Sequence, residues 1–342
     1  MASTTLASLL RTRMITVAAL VLLIGAHTNP ASATRPPVSF PAPASSDELP
    51  DVATAPPRQA QAHADREPAT PPTKHNATGK VERAEKKTEV GEAGANATSN
   101  DYMTPHGGYV QTAPRVYLLF WGNSFWTYQD YYHVRDRLEA FYKGVGGSVW
   151  ASQMKEYSGA GGAFTNPSAV LKGSAFDSTV VPAHPTQNQV QDAAIRARRY
   201  FNDWGYNTQF IVVLPSGHID QTSQLGACGW HYWGNDNGYG FTFTSLPYTP
   251  DFGNACGNYL VNNSILDGTT IVASHEFGET VTDPYGNGWQ DSTGITGENG
   301  DKCNRLYPAN AHYSNGAFPV QSLWSNYYKR YYLNGCLYPS GY

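Results

Sequence analysis

The chain has 342 residues, enough for one or two domains, and 23 Lys+Arg stand against 27 Asp+Glu. That weakly acidic balance gives no basic surface for a phosphate backbone, so nucleic acid is excluded as a partner. Four cysteines, all after residue 220, and ten histidines leave room for disulfide or metal chemistry.

At the N-terminus Arg11 and Arg13 precede an apolar run from Met14 to Ile24 and the small-residue site Ala31-Ser32-Ala33. This pattern predicts a signal peptide over residues 1–33, cleaved after Ala33. The run falls short of the roughly 20 apolar residues of a span, so no stable membrane span is expected after cleavage. The chain is therefore expected to be secreted, outside the cell or associated with its envelope. Residues 34–100 are rich in Pro, Ala, Thr and mixed charge, with Phe40 the only aromatic. Such a segment predicts a disordered linker or propeptide, because it offers too little apolar surface to offset ordering entropy. Asn76-Ala77-Thr78 and Asn96-Ala97-Thr98 match glycosylation acceptors.

Residues 101–342 read as one globular domain. Val116–Trp121 is an unbroken apolar run and predicts a buried strand. A helix is expected from about Tyr128 to Tyr142, with Val134, Leu138 and Phe141 at helical spacing and Gly144 beyond its end. A second helix is expected from Thr186 to about Trp204, opened by a Thr186/Gln189 capping box, carrying Val190, Ala194, Ala197 and Phe201 on one face, and ended by Gly205. Gln209–Leu214 is a second buried strand. Strand, helix, strand points to an α/β (or α+β) fold, a mixed sheet flanked by helices. Residues 228–263, rich in Gly, Asn and aromatics, read as irregular loops with short strands. In an exported chain the cysteines favour the two local disulfides Cys228–Cys256 and Cys303–Cys336.

The segment with chemical content runs from Ile271 to Cys303. A helix is expected from Gly268 to Thr282, capped by Asp267 and stopped by Pro284. Ala273, Phe277 and Val281 fall at i, i+4 and i+8 and form a core stripe. His275 and Glu279 lie about 200° from Phe277 in helical phase, which offers an imidazole and a carboxylate to a cleft. Side chains four apart can reach one ion at about 2.0–2.2 Å. Glu276 stands where zinc hydrolases of the His-Glu-x-x-His type place their general base. Glu298, nineteen residues after Glu279, resembles the later glutamate ligand of thermolysin-like metallopeptidases and is the favoured third ligand. Asp283 and Asp301 are expected to orient the histidine or to serve as alternative ligands. A His-Glu-Glu or His-Glu-Asp set is harder and more anionic than His-His-Glu, so Mn2+ or Ca2+ stands beside Zn2+ as the metal. His218 and His231 lie in Gly-rich loops that can reach the site, and His231 or a nearby Tyr is expected to stabilise an oxyanion.

Four blocks together resemble the plant EXORDIUM or phosphate-induced extracellular family and its bacterial secreted relatives: "GGYVQTAPRVYLLFWG" (107–122), "GGSVWASQMKEYSG" (146–159), "CGWHYW" (228–233) and "ASHEFGETVTDPYGNGWQD" (273–291). The resemblance implies an extracellular or wall-associated protein and no settled reaction. His275, Glu276, Glu279 and "GENGDKC" (297–303) are all present here. The sequence thus predicts a secreted metal-dependent hydrolase, a zincin-like peptidase acting on a peptide or cell-wall polymer. The rival expectation is a non-catalytic extracellular protein that binds carbohydrate or a protein through Tyr and Trp.

Overall fold

The computed structural model describes residues 102–294, 297–332 and 334–339. The signal peptide, the 34–100 segment and both glycosylation acceptors lie outside the described residues.

Five strands form the central sheet: β1 (Arg115–Trp121), β2 (Leu171–Asp177), β3 (Thr208–Val213), β4 (Trp230–Asp236) and β5 (Tyr239–Leu246). Their order is β2-β1-β3-β5-β4, parallel throughout except for β4, which runs antiparallel to β5 at the edge. Three helices cover it: α1 (Val134–Gly144), α2 (Gln187–Phe201) and α3 (Asp267–Thr282). The fold is α/β. Successive residues of β1 explain the layering. Val116, Leu118 and Phe120 pack with α1 and α3, while Tyr117, Leu119 and Trp121 pack with Val190, Ala193 and Ala197 of α2. A strand buried on both faces reads as a continuous apolar run, which is why β1 and β3 were visible without alternation.

Local signals set the helix ends. The α2 capping box is present in both directions, Gln189 N donating to Thr186 Oγ1 and Thr186 N donating to Gln189 Oε1. The helix ends at Phe201, because Asn202 turns left-handed (φ 52°) three residues before the expected Gly205. The α1 helix begins at Val134 instead of Tyr128. Tyr128 and His133 both have positive φ, and Asp130 caps the later start by accepting from Val134 N (2.9 Å) and Arg135 N (3.0 Å).

Residues 228–263 are more regular than expected. β4 and β5 form a long hairpin closed by Asn237 (φ 55°) and Gly238 (φ 86°), a two-residue turn with both φ positive, which suits the right-handed twist of the flanking strands. After α3 a second hairpin, β6 (Ala309–Tyr313) with β7 (Gly316–Val320), packs on that helix. Thr270 Oγ1 donates to Pro319 O, and Gln321 N donates to Ser274 Oγ. Both expected disulfides are present, Cys228–Cys256 and Cys303–Cys336. Among the described residues no helix is long and apolar enough to cross a membrane.

Helix α3 departs from the expectation in two ways. It is buried on every side, not amphipathic with one face at a cleft. Asp267 is its first residue and does not cap it; Asp267 Oδ2 instead accepts from Val261 N and Asn262 N of the preceding loop. The apolar stripe is as expected, with Ala273, Phe277 and Val281 fully buried. Phe277 sits against Tyr142 and Trp150, ring centroids 6.1 and 6.4 Å away. Phe277→Ala is expected to cost about 3–5 kcal/mol in urea unfolding, since a fully packed ring leaves a cavity that cannot collapse; a loss below about 1 kcal/mol would contradict the packing.

Candidate metal centre

Three parts of the chain converge behind α3: the helix itself, the turn around 298–303, and β4 at the sheet edge. The helix supplies His275, Glu276 and Glu279. The turn supplies Glu298 and Asp301, and β4 supplies His231. All six are at least nine-tenths buried. Five of them form two groups whose ligand atoms lie close enough to hold an ion: His275, Glu279 and Asp301, and His231, Glu276 and Glu279. Glu279 belongs to both.

In the first group His275 Nε2 is 3.0 Å from Glu279 Oε1 and 3.5 Å from Asp301 Oδ1. The ring is oriented from behind. Gln321 Nε2 donates to Gly300 O (2.6 Å), which turns Gln321 Oε1 toward the ring, 3.1 Å from His275 Nδ1. Nδ1 therefore carries a proton, and Nε2 is the ring atom that faces the centre, open to a cation once its own proton is displaced. Asp301 N donates to Glu279 Oε1 (2.9 Å), which ties the turn to the helix. The turn is held from outside by the Cys303–Cys336 disulfide and by Lys302, whose Nζ reaches Asp291 Oδ2 at 2.5 Å in a fully buried pair.

In the second group His231 Nδ1 is 3.3 Å from Glu276 Oε2 and 3.5 Å from Glu279 Oε2, and its Nε2 is 3.6 Å from Glu298 Oε1. The first is a long hydrogen bond, and the other two exceed the usual N–H···O range. Accordingly Glu279 Oε2, Glu298 Oε1 and Asp301 Oδ2 are buried without a hydrogen-bond partner. Buried carboxylate oxygens without partners are costly unless a cation answers them.

The acids share one low-dielectric space. Burial opposes a charge on each imidazole, yet the facing carboxylates outweigh it: Glu276 and Glu279 raise His231 to about 10, and Glu279, Glu276 and Asp301 raise His275 to about 10. Burial would raise Glu279, but His275 and His231 pull it down to about 2. Glu298 and Asp301 go well above the ordinary carboxyl range, from burial first and the Glu279 charge second. Burial also raises Glu276, with Glu279 adding to it against the two imidazoles. A divalent cation and protons thus compete for the same atoms.

A cleft of about 320 Å³ opens onto this centre between the Cys228–Cys256 disulfide, Ile271 and Val272, reaching His275, Glu276 and Gln321. Glu276 Oε1 forms part of its wall beside Gly229, so close that a Cβ on that glycine would sit 3.1 Å from it. Its size is within the range of ligand clefts.

The spacing of His275 and Glu279 therefore located the helix part of the centre. The third member beside them is Asp301, not the favoured Glu298, which stands outside both groups against His231 Nε2. Asp283 is in neither group: it stands against Glu298, its oxygens accept from Gly288 N (2.6 Å) and Gln290 Nε2 (2.5 Å), and it secures the turn after the helix. His231 is a buried strand residue behind Glu276 and is not among the residues lining the cleft, so it is not placed to stabilise an oxyanion there. His218, its Nδ1 3.0 Å from Pro182 O, does not join the centre. Gln321 and the Lys302–Asp291 pair were not foreseen. Gln321→Leu is expected to weaken metal binding about 10- to 100-fold without unfolding the chain, as loss of a ligand-orienting partner does; unchanged affinity in a competition titration would remove Gln321 from the centre.

No family model, curated protein or solved structure matches this chain. Buried His, Glu and Asp groups that can hold a metal ion are what its own geometry provides.

Proposed function

We propose that the chain is a metal-dependent hydrolase, best matched to a zinc metallopeptidase, with His275, Glu279 and Asp301 as the metal-holding set and Glu276 as the general base. The observation that carries this is the meeting of those three residues, two of them with an unpartnered buried oxygen, beside a cleft that reaches His275 and whose wall includes a carboxylate edge, Glu276 Oε1. A divalent ion in such a site acidifies water and polarises a carbonyl. Glu276 accepts the proton from the attacking water at Oε1, on the cleft side, and delivers it to the leaving amine. Gln321 and the 298–303 turn keep His275 and Asp301 in place while the apolar cleft walls exclude bulk water. Imidazole with two carboxylates suits Zn2+ or Mn2+ more than an all-oxygen Ca2+ site.

The N-terminal pattern and the two disulfides support export, and the likeness of the four sequence blocks to EXORDIUM-like extracellular proteins is part of the same proposal. The test is a broad peptide-cleavage profile of the purified protein before and after chelation and after Zn2+ or Mn2+ is returned. Chelator-sensitive cleavage restored by metal is expected; peptides untouched by metal-replete protein would count against a peptidase.

A specific observation favours a second reading. Tyr128, Tyr131, Tyr327 and Tyr331 are exposed by 95, 77, 68 and 62 %, and exposed rings suit carbohydrate stacking. Retention on wall polysaccharide without any cleavage would favour a binding protein over the hydrolase.

A further inference from the structure

We propose that the centre binds two divalent cations, bridged by the Glu279 carboxylate, the second seated by His231 Nδ1, Glu276 Oε2 and Glu279 Oε2. This rests on the proposed first ion at His275, Glu279 and Asp301 and goes beyond it.

Glu279 directs one oxygen to each imidazole. Oε1 faces His275 and accepts from Asp301 N, while Oε2 faces His231 with no hydrogen-bond partner. A carboxylate used in this way links ions about 3.5–4 Å apart, the spacing of two-metal hydrolytic sites. The separations around His231 agree. Ligands on one tetrahedral ion at about 2.0–2.2 Å stand about 3.3–3.6 Å from one another, and His231 Nδ1 is 3.3 Å from Glu276 Oε2 and 3.5 Å from Glu279 Oε2. The first is a long hydrogen bond and the second exceeds one, and both match the spacing of shared ligation. Behind the ring, Glu298 Oε1, buried and unpartnered, faces Nε2 at 3.6 Å. It lies on the side of the ring where a ligating histidine's second N–H finds a carboxylate, though at a separation longer than a hydrogen bond.

Charge points the same way. Glu276, Glu279, Asp283, Glu298 and Asp301 are five buried acids around two histidines. Glu276 serves both roles through different oxygens, Oε2 toward the second ion and Oε1 toward the cleft.

Stoichiometry tests this on the full chain. Metal-stripped protein is equilibrated with Zn2+, dialysed, and assayed for zinc per chain. Two per chain are expected for the wild type, one for His231→Ala and one for His275→Ala. A wild type saturating at one, with His231→Ala unchanged, overturns the second site and leaves the hydrolase proposal standing; a wild type that binds none sinks both. Because His231→Ala is a core change that can unfold the strand, Mn2+-loaded wild type supplies an independent reading by electron paramagnetic resonance. An exchange-coupled pair signal is expected, and a signal from isolated Mn2+ alone overturns the proposal.

Discussion

Glu276→Gln is expected to lower the turnover of a cleaved peptide by about 10²- to 10⁴-fold, the usual worth of a positioned general base, while the ion held by His275, Glu279 and Asp301 stays in place. The amide keeps the size and polarity of the side chain, so its position beside Gly229 and against His231 is preserved. What it lacks is a lone pair basic enough to take a proton from water. The loss therefore belongs in kcat, with KM little changed, because Glu276 binds no remote part of a substrate. Equal activity in wild type and variant, with the ion at His275, Glu279 and Asp301 present in both, would assign the proton transfer to another group and leave Glu276 structural.

Asp291→Asn is expected to cost about 3–5 kcal/mol of stability in chemical unfolding, because it strands the Lys302 ammonium in the interior. The pair is fully enclosed, and Lys302 also lies 4.0 Å from the Trp324 ring centroid, so it has little freedom to swing into water. Lys302 is the neighbour of Asp301, and loosening it moves a ligand. Weaker metal binding should accompany the lost stability. Replacing both partners together, Asp291→Leu with Lys302→Met, is expected to recover much of the loss, since no unpaired charge remains. If Asp291→Asn costs under about 1 kcal/mol, the pair is solvated in solution and does not anchor the turn.

Elements whose determinants are local were legible in the sequence. The Thr186/Gln189 box and Pro284 fixed ends of α2 and α3 because a cap and a proline act within a few residues. The Asn237-Gly238 turn was equally local, but the surrounding glycines and aromatics obscured the hairpin it closes. Strand β2 was hidden for a physical reason: Leu171–Asp177 includes Lys172 and Gly173, and it becomes a strand by pairing with β1. In the centre, the spacing of His275 and Glu279 on one helical face was readable, and so was the core stripe opposite. What covers that face was not. His231 arrives from the far sheet edge, Gln321 from the end of a hairpin, and Asp301 is selected over Glu298 by the Cys303 disulfide, the Lys302 ion pair and the Asp301 amide on Glu279. Each of these is a contact between residues more than ten apart, for which helical phase carries no information.

The central claim is that α3 and the 298–303 turn hold a catalytic metal. Anomalous diffraction from crystals of the metal-loaded protein, collected at the absorption edge of the bound metal, tests it most directly. A peak about 2.0–2.2 Å from His275 Nε2, Glu279 Oε1 and Asp301 Oδ1 is the predicted result. Stoichiometric metal whose peak lies away from these three atoms, or no metal bound at all, would contradict it.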